Sequence, residues 1–87
     1  QNMEAVVFLN VDIGSEDRIM EELSAIPEVK AVYFVYGPYD IVVKIDAPDI
    51  EKIRSVVRDK IRKIDGIRST TTLVVAKSHV KSAPPHV

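Results

Sequence analysis

The sequence predicts one α+β domain in which two helices lie on one face of a four-stranded antiparallel sheet. Three observations support this fold class. A length of 87 residues suits a single domain. Short β-branched segments and two segments with helically spaced apolar residues follow one another in the order β-α-β-β-α-β. Glycine or proline stands near most of the junctions, as expected for chain turns.

A strand and a helix are predicted in the first part of the chain. Residues 4–12 (EAVVFLNVD) are rich in Val, Phe and Leu, which is typical of a strand. A helix is predicted over 15–25, because Ser15 is a good N-cap and acidic residues follow it. Pro27 ends this helix, since the residue before a proline disfavours helical angles. The buried stripe of the helix comprises Ile19, Leu23 and Ile26.

Two strands are predicted next, over residues 29–36 and 41–45, with the segment Gly37–Asp40 between them. Both strand segments are β-branched and aromatic. The connection is not a two-residue type I′ turn, because Pro38 holds φ at about −65° and that turn needs positive φ. Pro38 fits the second position of a type I or II turn. Such a rigid turn holds Asp40 at the mouth of the following strand.

The last predicted elements are a helix over residues 48–64 and a strand over 67–77. Pro48 suits the first helical position, where a missing N–H has no cost. Gly66 stops the helix, and the strand that follows carries three threonines, whose β-branching suits the pleat. The apolar stripe of the helix comprises Ile50, Ile53, Val57, Ile61 and Ile64.

The domain is expected to occupy residues 1–77, followed by a flexible tail over 78–87. The tail (SHVKSAPPHV) has two prolines and no hydrophobic periodicity. The chain has no cysteine, so disulfides, thiolate zinc sites and thiol nucleophiles are excluded. No signal-peptide pattern or membrane-length apolar run is visible. We therefore expect a soluble, cytoplasmic protein.

The element order is that of the ferredoxin-like fold. Right-handed crossovers place both helices on the same face of its sheet. The other face should read polar at every second position, yet Val6, Phe8 and Val42 fall on it, and the strand over 29–36 is apolar on both faces. A second copy is the simplest cover for this face. We expect a symmetric dimer by sheet-on-sheet packing, a dimeric α/β barrel.

Catalytic and metal-binding patterns are weak, so we predict no catalytic residue, metal or cofactor. Both histidines, His79 and His86, fall in the predicted tail. No Ser-His or Cys-His pattern and no phosphate-binding glycine loop occurs. The second helix carries six Lys or Arg residues, but interleaved acids indicate a solvated face rather than a nucleic-acid stripe. An RNA-binding sheet is disfavoured, because Tyr33 and Phe34 point to opposite faces.

Two local features remain, the turn Gly37–Asp40 and the hydroxyl run from Ser69 to Thr72. A free amino acid needs a carboxylate for its ammonium and N–H or hydroxyl donors for its carboxylate. Asp40, the Gly37 backbone and the threonines supply groups of those kinds. Aspartate in turns also caps backbone, and threonine is a common strand residue, so the residues alone leave both interpretations open.

The segments VYFVYGPYDIVVKID and IDGIRSTTTLVVAK resemble the effector-binding RAM domain of the Lrp/AsnC feast/famine regulators. The resemblance runs from about Ala5 to Lys77. It implies dimers that assemble into octamer- or decamer-like rings, with a small effector, typically an amino acid, bound between dimers. It implies that Asp40 accepts from the effector's ammonium, while the Gly37 backbone and the hydroxyls hold its carboxylate. The residues that match the family's ligand-binding positions are Gly37, Tyr39, Asp40, Ser69, Thr70 and Thr72.

The resemblance has one large departure. Family regulators carry an N-terminal helix-turn-helix, whereas this chain begins almost at the first strand. We expect a stand-alone member or a fragment that senses an amino acid or joins full-length regulators, without binding DNA directly. The alternatives are a small cofactor-free enzyme of the dimeric α/β-barrel type and a ligand-free assembly module. An ACT-type sensor is a further alternative, although it lacks the G-x-Y-D turn.

Overall fold

The computed structural model describes residues 2–81 and contains four strands and two helices. The strands form one antiparallel sheet in the order β2-β3-β1-β4, so β1 and β3 are central and β4 is an edge. This arrangement confirms the predicted ferredoxin-like order. The elements are β1 (Met3–Val11), α1 (Glu16–Ser24), β2 (Val29–Phe34), β3 (Ile41–Ala47), α2 (Ile50–Val56, continued as a π-helix over Val57–Ile61) and β4 (Ile67–Val74).

The core lies between the helices and one face of the two central strands. α1 packs against β2 and β3, and α2 packs against β3. Large aliphatic side chains dominate this layer, and burying each one fully contributes about 1.5–3 kcal/mol. The largest fully buried side chains are Leu9, Ile19, Leu23, Ile41, Ile45, Ile53, Ile61, Val7, Val43 and Val56.

The start of α1 differs from the predicted cap. Ser15 occupies the N-cap position, but its hydroxyl donates to the Asp12 carbonyl at 2.6 Å and makes no cap hydrogen bond. The hydroxyl therefore closes the loop that leads into the helix rather than capping the helix. The helix itself runs from Glu16 to Ser24, one residue inside the predicted bounds at each end.

The start of α2 corrects the prediction for Pro48. The helix begins at Ile50, and Asp49 is its N-cap, with a carboxylate that accepts from the Lys52 N–H at 2.9 Å. Pro48 lies before the cap rather than at the first helical position. Aspartate is among the strongest N-cap residues, because its side-chain oxygen satisfies a free N–H of the first turn.

The second half of α2 widens into a π-turn that the sequence did not predict. The Arg62 N–H donates to the Val57 carbonyl five residues earlier, at 2.9 Å. Val56 and Val57 are consequently both buried, at 0% and 8% exposure, while Ile50 from the predicted stripe is 38% exposed. The regular helical spacing assumed for 48–64 therefore holds only in part.

The middle of the helix-free face is apolar, as predicted, while polar residues such as Lys44, opposite Val6, lie around it. Phe8 lies opposite Thr71, and Val6 opposite Leu73, which is 53% exposed. Tyr33, opposite Val42 on the same face, is 49% exposed. None of the elements among residues 2–81 packs over this face.

Strand β2 ends at Phe34 and β4 at Val74, each short of the predicted boundary. Residues 75–81 have no regular structure, and the rest of the predicted tail, 82–87, lies outside the described residues. The predicted division into a 1–77 domain and a tail stays a prediction. No helix among residues 2–81 is long and apolar enough to cross a membrane.

Candidate functional site

Asp40, the last residue of the turn between β2 and β3, is held by two backbone hydrogen bonds, one across the turn and one to β1. The Val35 N–H donates to the Asp40 carbonyl, and the Asp40 N–H donates to the Leu9 carbonyl, both at 2.9 Å. Gly37 has a φ of +146°, a conformation that residues with a Cβ rarely adopt. Together the glycine and these two hydrogen bonds fix the position of the Asp40 backbone at the end of the turn.

The Asp40 carboxylate is partly used by the fold. Its Oδ2 accepts a hydrogen bond from the Val11 N–H at 2.9 Å, so the side chain adds one more rung between β1 and the start of β3. Its Oδ1 accepts from no donor among residues 2–81. One carboxylate oxygen is therefore free to accept from a bound donor.

The hydroxyl run divides between the two faces of β4, as the alternation predicts. Thr70 and Thr72 lie opposite Leu9 and Val7, which are buried on the helix side. Ser69 lies on the helix-free side opposite Asn10, whose side-chain amide donates to the Ser69 hydroxyl at 3.0 Å.

Two of the six candidate residues meet in one hollow at the end of β1. Asp40 and Ser69 both line it, and its volume is about 480 Å³. We call it the β1-end hollow. Thr72 instead lines a separate groove between α2 and β4, and Thr70 lines a third hollow beside Arg62. The complete lining of the β1-end hollow is Asn10, Val11, Ile13, Asp40, Arg68 and Ser69.

Tyr39 belongs to the apolar face rather than to the β1-end hollow. Its ring lies 5.0 Å from that of Phe8, centroid to centroid, with the two planes tilted by 36°. Aromatic pairs in such geometries contribute stabilising free energy beyond that of burying their apolar surface. Tyr39 therefore extends the helix-free face toward the turn, and Gly37 contributes the shape of the turn.

Arg68 also lines the β1-end hollow and was not among the residues predicted from the sequence. The β1–β4 register pairs Asn10 with Ser69 and Val11 with Ile67, so Arg68 is the extra residue of a β-bulge. Bulges turn a side chain out of the regular alternation, and they recur next to binding sites. The Arg68 guanidinium is 3.9 Å from the Asp12 carboxylate and remains 70% exposed.

The β1-end hollow consequently offers both signs of charge. Asp40 presents a carboxylate oxygen, and Arg68 presents a guanidinium with five N–H donors. Ser69 and Asn10 also line the hollow, and Ile13, another lining residue, is 98% exposed. Among residues 2–81 no group of three His, Asp or Glu side chains could hold a metal ion.

Comparison with known proteins identifies the domain. The model of the Lrp/AsnC ligand binding domain matches residues 4–85. An uncharacterised HTH-type transcriptional regulator of Pyrococcus abyssi is 34% identical over 74 residues, which cover 83% of this chain and 47% of that protein. The crystal structure of FFRP-DM1 superposes with a TM-score of 0.80 at 36% identity, covering 84% of this chain and 97% of that one. The chain spans about half the length of the curated regulators it matches.

Two further matches carry functional information about other proteins. The homocitrate synthase of Sulfurisphaera tokodaii is 33% identical over 78 residues, which cover 88% of this chain but 17% of the enzyme. A transcriptional regulator from Neisseria meningitidis, solved as a complex with L-Met, shares the fold with a TM-score of 0.81 at 19% identity, over 94% of this chain and 56% of that one. The family model spans most of the chain, and the regulators share its sequence as well as its fold. This chain belongs to the Lrp/AsnC family and carries its ligand-binding domain.

Proposed function

We propose that the chain senses an amino acid and controls its own assembly, as the effector domain of an Lrp/AsnC-type transcription system. The observation that carries this proposal is the β1-end hollow, which is lined by both Asp40 and Arg68, with only one Asp40 oxygen engaged by the Val11 N–H. A zwitterion needs one acceptor and one cationic donor at short range.

The chemistry of the hollow fits an α-amino acid. Asp40 accepts from the ammonium, and the Ser69 hydroxyl and Arg68 donate to the carboxylate. The exposed Ile13 at the rim supplies apolar surface for the effector's side chain. The Neisseria regulator solved with L-Met is consistent with an amino-acid effector, although its likeness to this chain is one of fold.

The candidate ligand groups lie on different surfaces of the chain, which supports an effector site shared between two copies. Thr70 and Thr72 lie on the helix side of β4, whereas Asp40 and Ser69 line the β1-end hollow. One chain therefore cannot present all the candidate ligand groups to one small effector. Two chains can, when β4 of one faces the turn of another. Effector binding then changes the stability of that contact, which couples sensing to assembly.

The dimer itself is proposed to form through the helix-free face. Phe8, Tyr39, Tyr33 and Leu73 form a large apolar surface there, and two of them are about half exposed. Contiguous apolar patches of this kind mark interaction sites. Sheet-on-sheet packing with a second copy covers the face and leaves the β1-end hollow at the edge of the interface. Further assembly of dimers into rings is part of the proposal.

The function is tested by titrating each of the twenty amino acids against the chain while melting temperature and oligomer size are measured in parallel. A ligand at 100 times its Kd stabilises the folded state by about 2.7 kcal/mol, which is several degrees for a domain of this size. A selective rise in melting temperature with a shift in oligomer size is expected. Intact oligomers without stabilisation by any amino acid at millimolar concentration would instead support a ligand-free assembly module.

Arg68→Gln and Lys30→Gln make a matched pair for this titration. Both side chains are exposed, but only Arg68 lines the β1-end hollow. The first change should weaken effector binding at least tenfold, and the second should leave it unchanged. Equal affinities for the two variants would remove Arg68 from the site.

One of the comparisons bears on the enzyme alternative. The homocitrate synthase that matches this chain shares 17% of its own length with it. Among residues 2–81 the one histidine, His79, lies outside the helices and strands, and no metal cluster is present. We therefore propose a sensor that acts without chemistry, is cytoplasmic, and affects DNA through full-length regulators with which it assembles rather than by direct contact.

A further inference from the structure

A second hollow, at the start of β4, shares two of its residues with the β1-end hollow. Its volume is about 430 Å³, and we call it the Arg62 hollow. Arg68 and Ser69 line both hollows, so the two adjoin at the β-bulge. The lining of the Arg62 hollow includes two guanidiniums, two hydroxyls and no carboxylate. Its complete lining is Arg62, Ile67, Arg68, Ser69 and Thr70.

Arg62 lies where the second helix ends. Its N–H donates to the Val57 carbonyl at 2.9 Å, and the preceding residue, Ile61, is fully buried. The backbone of Arg62 is therefore held by the π-turn and by the core. Its side chain is exposed and forms no ion pair with any of the residues 2–81. A guanidinium that is fixed at its base and has no acidic partner is available to bind a carboxylate.

Thr70 connects Arg62 to the proposed effector site. Thr70 is one of the candidate ligand groups, and both residues line the Arg62 hollow. In the proposed shared site, β4 of one copy faces the turn of another, so Thr70 reaches the effector together with Arg62. Within one chain, too, the shared Arg68 and Ser69 join the Arg62 hollow to the β1-end hollow. An effector held by Asp40 and the hydroxyls therefore lies near Arg62.

The charges of the combined site favour an anionic effector. Asp40 contributes one carboxylate, whereas Arg68 and Arg62 contribute two guanidiniums. Asp12 lies 3.9 Å from Arg68, but the two side chains are 63% and 70% exposed, and surface pairs of this kind contribute little. A neutral zwitterion would leave one positive charge of the site without a partner. An effector with a second carboxylate supplies that partner, which matters because an unpaired charge is costly to remove from water.

We propose that the effector is an acidic amino acid, of the aspartate and glutamate class, and that Arg62 selects it by binding its side-chain carboxylate. This inference rests on the proposed amino-acid site and names the class of its ligand. Asp40 accepts from the ammonium, and Arg68 donates to the α-carboxylate. Arg62 and the Thr70 hydroxyl donate to the second carboxylate.

The short carbon chain of such an effector also has apolar surface to contact. Ile13 lines the β1-end hollow, and Ile67 lines the Arg62 hollow. The site therefore offers charged groups for both ends of the effector and apolar side chains for the methylene carbons between them.

The same charges couple the effector to assembly. In the shared site, Arg68 belongs to the copy that supplies Asp40, and Arg62 belongs to the copy that supplies Thr70. Like charges that meet across an interface oppose association. The two carboxylates of an acidic effector pair with both guanidiniums and remove this repulsion. The acidic amino acid should therefore favour the larger oligomer, and more strongly at low salt than at high salt.

The inference is tested by calorimetric titration of the full chain with matched ligands. Glutamate is compared with glutamine, and aspartate with asparagine, because each pair differs only in the second carboxylate. Glutarate and succinate keep both carboxylates but lack the ammonium, and inorganic phosphate tests for a simple anion site. One of the two acidic amino acids should bind at least about tenfold more tightly than its amide, its ammonium-free analogue and phosphate.

Three variants assign the two carboxylates to the two arginines. Arg62→Gln should weaken binding of the acidic amino acid at least about tenfold and leave the affinity for its amide unchanged. Arg68→Gln should weaken both, because it removes a donor to the carboxylate that both ligands carry. Lys63→Gln removes a positive charge beside Arg62 from a residue that lines neither hollow, and it should change neither affinity. Melting temperatures of the free variants check that each one is folded.

Two results would overturn the inference and leave the proposed function standing. One is an amide that binds as tightly as its acid. The other is an Arg62→Gln variant that keeps full affinity for the acidic amino acid, or that loses acid and amide binding equally. Glutarate, succinate or phosphate binding as tightly as the acidic amino acid would overturn both, because the ammonium would then contribute nothing. Failure of all twenty amino acids to bind would count against the proposed function itself.

Discussion

The Val11 N–H donates to the Asp40 carboxylate at 2.9 Å, so the acid of the turn also completes the β1–β3 pairing. Side chains of aspartate often satisfy backbone donors in this way, where a strand ends and no carbonyl is available. The Oδ1 atom is left over for a ligand. One carboxylate oxygen of Asp40 therefore serves the fold, and the other is available for binding. A test of binding at Asp40 must consequently control for loss of stability.

Substitutions at Asp40 should separate these two roles. Asp40→Ala leaves the Val11 N–H without its acceptor and should lower the free energy of unfolding by about 1–2 kcal/mol. Asp40→Asn keeps an acceptor for Val11 and should lower it by less than about 0.5 kcal/mol. Both should weaken amino-acid binding at least tenfold, because the charge that attracts the ammonium is gone. Urea unfolding and calorimetric titration measure the two effects, and full affinity in Asp40→Asn would refute the assigned role.

Phe8 is the test of the proposed dimer face. Its ring points away from the core and packs on Tyr39, so Phe8→Glu should leave the fold intact. A carboxylate in the middle of an apolar interface should weaken dimerisation at least about 100-fold. Sedimentation velocity over a concentration series measures the change.

Tyr36→Ser is the matched control for the dimer experiment. Tyr36 is 95% exposed, and its ring contacts Phe34 at the edge of the sheet rather than the helix-free face. The control should sediment like the wild type. A Phe8→Glu variant that also sediments like the wild type would show that copies meet elsewhere.

The sequence predicted the fold well, because its period-two and helical patterns are strong and agree with one another. Strand order followed from the order of the elements along the chain, and the apolar second face followed from alternation, which β4 confirms at Thr70 and Thr72. Alternation failed at Arg68, where a β-bulge adds a residue, and helical spacing failed at the π-turn that buries Val56. Both irregularities depend on packing between distant segments, which a local pattern cannot register.

The candidate site was predicted less completely for the same reason. The Asp40–Val11 bond joins residues 29 apart, and nothing in the turn sequence indicates it. Family resemblance supplied the six positions, and the structure shows that Asp40 and Ser69 line one hollow, Thr70 and Thr72 line two others, and Tyr39 packs on the apolar face. That division is what a site shared between copies requires.

Gly66 is expected to be the least replaceable glycine in the domain. Its φ is +98°, and a Cβ built there would lie 3.1 Å from the Ile19 Cδ1 and 3.2 Å from the Ser15 Oγ. Gly66→Ala therefore combines backbone strain with close contacts that require Ile19 and Ser15 to shift by a few tenths of an ångström, and it should lower the free energy of unfolding by about 2 kcal/mol. Thermal unfolding measures the loss.

Gly37→Ala provides the comparison without the close contacts. Gly37 also has positive φ, but a Cβ there would meet no atom within 4 Å. The substitution should lower the free energy of unfolding by about 1 kcal/mol, from strain alone. Equal losses for the two alanine variants would mean that Ile19 and Ser15 relax freely around residue 66.

Glu28 should make stability depend on acid pH. Its carboxylate lies 3.2 Å from the Lys60 ammonium and 3.7 Å from that of Lys52, and its side chain is 15% exposed. Partial burial raises the pKa of Glu28, but the Lys60 hydrogen bond, a backbone hydrogen bond and the charges of both lysines outweigh it. The net pKa lies below the ordinary value of 4.5.

A carboxyl whose pKa is lower in the folded state stabilises the fold above its unfolded pKa. This contribution is lost as the pH falls through the folded pKa. Glu28→Gln should therefore be less stable than the wild type by about 0.5–1 kcal/mol at neutral pH, and the gap should close below about pH 4.5. Glu21→Gln, an exposed change on α1 without an ion pair among the described residues, should show no such closing gap. A constant difference between Glu28→Gln and wild type from pH 7 to pH 3, measured by urea unfolding, would show that the lysines contribute through packing rather than charge.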